Sequence, residues 1–408
     1  MRILFVTPFL PSPPRFGGQR RLDGLMRSLA KNHEVSLISF TATDEFRRTS
    51  LDATHAYCKE VVVFPDMEFV DRRDKRLLQA RSLISMHSFE HLLVARRVEF
   101  LARLQQLVDS GEFDIVQVEF VQMAALQPRL SAGRRFRTVL DEHNIEFDIV
   151  KRTASAEVST ARRLYSAIDW RKLKREEVAA WRRFDGVSVT SERDGAILSE
   201  LEPRTKVSVV PNGVDIDLFK PATTEPDRDS LLFFGAMNYY PNQDGLTYFI
   251  EQIFPLILAK RPSTKLWVVG PAPDSVKRLQ SPNIEVTGFV DAVEPYIDAA
   301  TAAIVPLRLG GGTRLKIVEA MSKAKPIIST RIGAEGIDVV DGESALLADD
   351  PRRFADHVES VLADAALAKR LGAAARQLAE ARYSWPALVA GLERFYDRLL
   401  SESPTPGP

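Results

Sequence analysis

The chain has 408 residues, 45% of them hydrophobic, and its 55 basic and 55 acidic side chains cancel to zero formal charge. That length exceeds what one core ordinarily organises, so two domains are predicted. Zero net charge excludes a global electrostatic drive onto nucleic acid or an anionic membrane, and the lone cysteine, Cys58, excludes an internal disulfide and the usual multi-cysteine zinc site.

From the first residues onward, short apolar, β-branched runs alternate with longer helical patterns, which is how parallel α/β sheets read. The apolar start is broken by Pro8 and Pro11 before it can form a signal-peptide core. Strands are predicted at 3–7, 35–39, 61–64, 115–118, 138–140, 187–189 and 207–210. A turn-rich stretch, Pro211-Asn212-Gly213-Val214-Asp215, and a charged one over 223–230 precede a second series at 231–234, 266–269, 284–286, 302–305 and 327–329. A strand–helix series that restarts after a linker predicts two doubly wound domains, 1–205 and 206–385. Pro386 interrupts a helical pattern that resumes as a C-terminal helix over 386–400, and the polar, Pro-rich 401–408 reads as a disordered tail. No window is apolar over the roughly 18 residues needed to span a bilayer. The address expected is cytoplasmic. Basic clusters at 72–76, 134–135 and 172–175 offer peripheral contact at the inner face of the cytoplasmic membrane, or a meeting point for a phosphorylated acceptor; their plainer reading is solvated helix faces and loops.

The strongest chemical signal spans 305–321. A buried strand runs into Gly310, Gly311 and Gly312, followed by an amphipathic helix starting near Thr313 and Arg314. Glycines let backbone approach a ligand closely, and a helix start presents unpaired amides and a positive dipole end. A diphosphate suits such a place, with Arg314 and Lys316 adding full charges against negative charge on a leaving group. Glu319, acceptor-only when ionised, suits a ribose diol; on spacing alone it reads as an intrahelical ion pair with Lys316 or Lys323. In the first half, Asp141-Glu142-His143-Asn144 follows a buried strand. A lone histidine there is on its own more often a structural hydrogen bonder. Asp141 and Glu142 read either as acceptor-hydroxyl partners or as groups that orient His143 or cap the next helix. Asp215 and Asp217 form a carboxylate-x-carboxylate pair, but in the linker, and the first strand does not lead into a dinucleotide glycine fingerprint.

The stretch 305–321 resembles the donor-site segment of glycosyltransferase family 4, the retaining group with the GT-B fold. Val209 to Phe219 with Pro221 is similar to that family's interdomain segment, and three further stretches match in order: Phe16-Gly17-Gly18 with Asn32-His33-Glu34-Val35, Val286-Thr287-Gly288-Phe289-Val290, and Tyr383-Ser384-Trp385. The resemblance implies two facing Rossmann-like domains, with a cleft at the strand ends. It places the donor in the C-terminal half and packs the final helix back on the N-terminal domain. It implies transfer of a sugar from a nucleoside-diphosphate sugar, a co-substrate rather than a bound cofactor, to a hydroxyl of a glycan, lipid-linked or small-molecule acceptor. Anomeric configuration would be retained, without a metal, by front-face departure and attack, in exopolysaccharide or other cell-envelope glycan assembly. His143 takes the family's sugar-contacting position, Gly17 and Gly18 pack beneath the diphosphate, and Phe289 with Val290 covers the base; Phe289 as ordinary core is the competing reading. Of the family's two donor-site glutamates, the second falls on Glu319 and the first on Gly311, so one sugar contact is absent. The family's basic pair after the first C-domain strand is also missing from 235–242, which moves the phosphate role to Arg314 and Lys316, with Arg308 in reserve. A nucleotide-sugar epimerase of related architecture and a catalytically silent nucleotide-sugar-binding subunit are the rival readings.

Overall fold

A computed structural model describes residues 1–41, 44–65, 72–95, 97–126, 135–156, 160–309 and 314–402. The chain divides into two compact units, Met1–Pro211 together with the segment from Leu388 onward, and Asn212–Ala387.

The first unit is built on seven parallel strands: β1 (Arg2–Thr7), β2 (Glu34–Thr41), β3 (Glu60–Pro65), β4 (Ile115–Glu119), β5 (Arg137–Glu142), β6 (Gly186–Val189) and β7 (Val207–Val209), in the order β3-β2-β1-β4-β5-β6-β7. Every residue of β4, β5 and β6 is buried, polar ones such as Gln117, Asp141 and Ser188 included. The order reverses between β1 and β4. Side chains at the carboxyl ends of these strands therefore meet at the switch point where α/β sheets bind ligands.

The expected boundary at 205/206 is corrected to Pro211/Asn212. Val207–Val209 pairs in register with β6, so its backbone hydrogen bonds belong to the first sheet. The helix Trp385–Ser401 carries Pro386 in its first turn, where a missing N–H breaks no helical bond. From Leu388 on it belongs to the first unit, burying Leu392, Phe395, Tyr396 and Leu399. Each fully buried apolar side chain of this kind contributes roughly 1.5–3 kcal/mol. Gly186 makes the seat possible: a Cβ there would lie 2.5 Å from Phe395 Cζ. Arg137 Nε donates to Leu399 O at 3.0 Å, and His33 Nε2 meets Glu393 Oε1 at 2.8 Å. Of the expected tail, 403–408 lies outside the described residues.

The second unit has six parallel strands: β8 (Ser230–Phe234), β9 (Lys265–Val269), β10 (Ile284–Gly288), β11 (Ala302–Val305), β12 (Ile327–Ser329) and β13 (Leu346–Leu347), in the order β10-β9-β8-β11-β12-β13. Its switch point lies between β8 and β11. Five of these strands match the predicted runs. The sixth, β13, is two residues long and too short to show a period.

Candidate active site

In the second unit, β8 and β9 end in glycines with left-handed backbone, Gly235 at φ 133° and Gly270 at φ 130°. A Cβ on Gly270 would come 2.1 Å from Gly235 O, so the two strand ends are in backbone contact. The neighbouring β11 delivers the chain towards the helix Leu315–Ser322, whose N-cap is Arg314. Gly310, Gly311, Gly312 and Thr313, the glycine part of the expected phosphate cradle, lie outside the described residues.

What is described is the helix start. Arg314 and Glu319 are buried, and the partly buried Lys316 reaches under the end of β8: its Nζ lies 3.2 Å from where a Gly235 Cβ would stand. That ammonium donates to the neutral amide Oδ1 of Asn242 at 2.8 Å and sits 4.4 Å from the centre of the Phe233 ring. Asn242 is itself oriented by donating to Ala236 O at 2.8 Å. Burial first, then repulsion from Arg314, takes the Lys316 ammonium down to about 7, against the opposing pull of Glu319. A cation held this way gains when an anion arrives.

Glu319 is not on a helix surface: 4% of it is exposed, and Lys323 pairs instead with Asp298 at 2.8 Å. Arg308 is committed elsewhere, forming a bidentate pair with Asp244 at 3.0 and 2.6 Å and lying over the Tyr248 ring. Phe289 follows Gly288 (φ 72°) at the end of β10 and is 63% exposed, which overturns the core reading; Val290 is half-buried against the unit's core. Asp215 Oδ1 accepts from the backbone N–H groups of Asp217 and Leu218, both at 3.0 Å, so this carboxylate shapes a turn.

In the first unit the helix Gly17–Leu29 starts under an aromatic cluster. A Cβ on Gly18 would meet Phe120 and Phe9 at 3.2 Å and Phe16 at 3.3 Å; Gly17 is exposed. Phe120, at φ 68° just past β4, stacks on the His143 imidazole with centroids 3.7 Å apart. His143 follows β5 and is 7% exposed, and its Nε2 lies 2.8 Å from Glu119 Oε2 and 3.5 Å from Asp141 Oδ2.

Asp141 and Glu142, which the sequence left open as acceptor partners or as groups that orient His143 or cap the next helix, are both enclosed. Asp141 receives the Arg21 guanidinium through two bonds of 2.9 Å and the Ser188 hydroxyl at 2.6 Å. Burial acts against its charge, but Arg21 outweighs it and holds the carboxyl low, at about 2. Arg21 also donates to Val210 O and Pro211 O, which ties the end of the first unit to its first helix. One position on, Glu142 points to the opposite face of the sheet, as strand alternation requires, and accepts the Trp181 indole N–H at 2.7 Å. Glu119, Asp141 and His143 are spaced closely enough to hold a metal, but Asp141 has both oxygens taken by Arg21. A second grouping, His87, His91 and Glu176, has its imidazoles stacked at 4.2 Å with 9° between planes, so their lone pairs do not converge on one ion.

Glu119, Arg21 and Asn242 were not singled out from the sequence. The one local signal was that Glu119 stands at a strand's carboxyl end next to an aromatic.

Two doubly wound parallel sheets with these sites at their strand ends define a GT-B glycosyltransferase fold. Residues 17–218 match the family model for Glycosyltransferase Family 4 and residues 228–364 that for Glycosyl transferases group 1, and the chain belongs to this family. It is similar to an uncharacterized 44.6 kDa protein in the cps region of Klebsiella pneumoniae, 24% identical over 88% of this chain and 90% of that one. It is also similar to the capsular polysaccharide biosynthesis glycosyltransferase CapM of Staphylococcus aureus, 22% identical over 56% of this chain and 65% of the relative. Among solved structures it resembles sucrose-phosphate synthase of Thermosynechococcus elongatus (TM-score 0.73, 16% identity, 99% and 100% of the two chains). It also resembles Anabaena HepE in complex with UDP-glucose (TM-score 0.64, 18% identity, 98% and 100%).

Proposed function

We propose that this glycosyltransferase moves a sugar from a nucleoside-diphosphate sugar to a hydroxyl acceptor with retention of configuration and without a metal ion. The observation that carries the reading is Lys316, an ammonium beneath the glycine end of β8 whose hydrogen bond goes to a neutral amide. With Arg314 beside it at a helix start, it offers a diphosphate two charges and a dipole end. Glu319, held in the second turn of that helix, is assigned the ribose hydroxyls, and Phe289 with Val290 the base. His143 is assigned the sugar. Neither carboxylate beside His143 is free to act as a nucleophile: Asp141 is matched by Arg21 and Glu119 is engaged by Gln117 and His143. That favours front-face departure and attack over a covalent intermediate. CapM and the HepE complex support a cell-envelope polysaccharide setting and a nucleotide-sugar donor.

No described helix is long and apolar enough to cross a membrane. Peripheral contact is proposed through Leu83, Ile84 and Leu164, exposed on neighbouring helices, and Met86 just past the first of them, beside Arg81, Arg171 and Arg175.

The test is a panel of nucleoside-diphosphate sugars screened by thermal shift, then assayed together for transfer, hydrolysis and epimerisation, with the product anomer read by NMR. A donor at about 100 times its Kd stabilises by roughly 2.7 kcal/mol. Transfer with retention is expected. Epimerised donor without acceptor, or stabilisation without turnover, would establish one of the two rival activities instead.

A further inference from the structure

Glu119 closes β4 and is completely buried. Its Oε1 accepts from Gln117 Nε2 at 2.7 Å, and its Oε2 faces His143 Nε2 at 2.8 Å. Gln117 in turn accepts, through Oε1, the hydroxyl of Tyr396 from the helix Trp385–Ser401. The imidazole is thus bordered by Glu119, Asp141 and the Phe120 ring, with Arg21 behind Asp141. Two carboxylates share one guanidinium, and Arg21 is bidentate to Asp141. A negative charge on Glu119 would stand buried without a cation of its own, an arrangement that costs several kcal/mol unless a proton removes it. No hydrogen bond to His143 Nδ1 is present among the described residues.

We propose that Glu119 and His143 act as one proton-holding pair, with the proton between Glu119 Oε2 and His143 Nε2, so that His143 presents Nδ1–H to the sugar. Tyr396, acting through Gln117, is a positioning residue for that pair. The proposal rests on the reading of His143 as the sugar-contacting residue. Whichever partner holds the shared proton, the other ring nitrogen remains a donor, because a neutral imidazole with an acceptor Nε2 has its hydrogen on Nδ1 and an imidazolium has both. Burial, with Asp141 adding to it, holds the Glu119 carboxyl well above the usual carboxylate range. Burial also outweighs the attraction of Asp141 and takes the His143 imidazole down to about 3, so the pair's resting form is carboxylic acid and neutral ring. The final helix is then part of the site: its hydroxyl decides which way the Gln117 amide points, and the amide decides which Glu119 oxygen is left for His143.

The experiment compares Glu119→Gln, Glu119→Leu and Tyr396→Phe by nitrogen NMR of labelled histidine, with the His143 signals assigned by loss in His143→Ala, and by kcat and donor KM. Glutamine at 119 accepts from Gln117 through its carbonyl and donates to His143 Nε2 through its amide, which preserves the Nδ1–H tautomer. Leucine does neither. Expected is a single Nδ1–H tautomer in the parent and in Glu119→Gln. Glu119→Leu is expected to show mixed tautomers and a kcat lower by about tenfold to a hundredfold, with donor KM little changed. Glu119→Gln should rescue most of that loss, and Tyr396→Phe should lie between the two. An Nε2–H tautomer in the parent, or a Glu119→Gln variant that switches tautomer and loses as much kcat as Glu119→Leu, would show that Glu119 accepts from His143 rather than sharing a proton with it and overturn the proposal. A parent with the Nδ1–H tautomer but no transfer with any donor would instead overturn the functional reading, leaving the pair standing.

Discussion

Replacing Lys316 with Met keeps the length and apolar stem that lie over Phe233 and removes only the charge. Because the ammonium of the unliganded protein titrates at about 7, half of it is neutral at that pH. A bound diphosphate favours the charged form and raises that value, so donor binding takes up a proton above pH 7. Affinity should fall with rising pH by as much as tenfold per pH unit, about 1.4 kcal/mol, until the bound-state value is passed. The diphosphate of a nucleotide sugar is doubly esterified and contributes no titration of its own there. In Lys316→Met the slope should vanish and affinity at pH 7 should drop by about 1.5–3 kcal/mol, the usual loss for a charged hydrogen bond. If Lys316 meets charge that grows as the glycosidic bond breaks, kcat should fall more than donor KM rises. The unliganded variant should melt higher than the parent. A lysine whose folded-state value lies below its unfolded one destabilises the fold below about pH 7, and the loss fades as pH climbs towards the unfolded value. Calorimetry from pH 6 to 9, in buffers of different ionisation enthalpy, counts the protons directly. A flat parent profile, or a slope that persists in Lys316→Met, would refute the assignment of the phosphates to this helix start.

Glu319→Gln should weaken donor binding by roughly 1.5–3 kcal/mol in calorimetry, since it takes a charged acceptor from the ribose; unchanged binding would make Glu319 a structural residue. Activity should survive EDTA, whereas full loss restored by manganese would replace Arg314 and Lys316 with a metal as the stabiliser of the diphosphate. Gly186→Val should lower unfolding free energy in urea by about 1–3 kcal/mol through its collision with Phe395, and an unaffected midpoint would show that the final helix shifts freely. Sedimentation with anionic vesicles should carry the parent down and leave Ile84→Asp in solution; equal partitioning would remove the proposed membrane contact.

The order of strands and helices was legible because the central strands, such as β1, β2, β8 and β11, are buried along nearly their whole length, so each apolar run is complete within a few consecutive residues. The helix proposed for the donor was legible for a related reason: Arg314, Lys316 and Glu319 lie within two turns, and a helix fixes their spacing wherever it sits. The sequence did not decide whether Glu319 was exposed beside Lys316 and Lys323 or buried, because a helix has the same period on either face until something packs against it. Nor could it decide whether Phe289 covers a ligand or fills the core, since an apolar residue suits either; the left-handed turn at Gly288 sets it outside the core. The environment of His143 lay furthest out of reach. Arg21 and Asp141 stand 120 positions apart, and Gln117 and Tyr396 stand 279 apart. Nothing local ties such residues together: which charge is matched, which carboxyl keeps its proton and which histidine nitrogen is turned outward depend on groups that become neighbours only when β4, β5 and the final helix close over them. Composition and period specify how a segment folds on itself, whereas the electrostatics of a buried site belong to the packing of segments against one another.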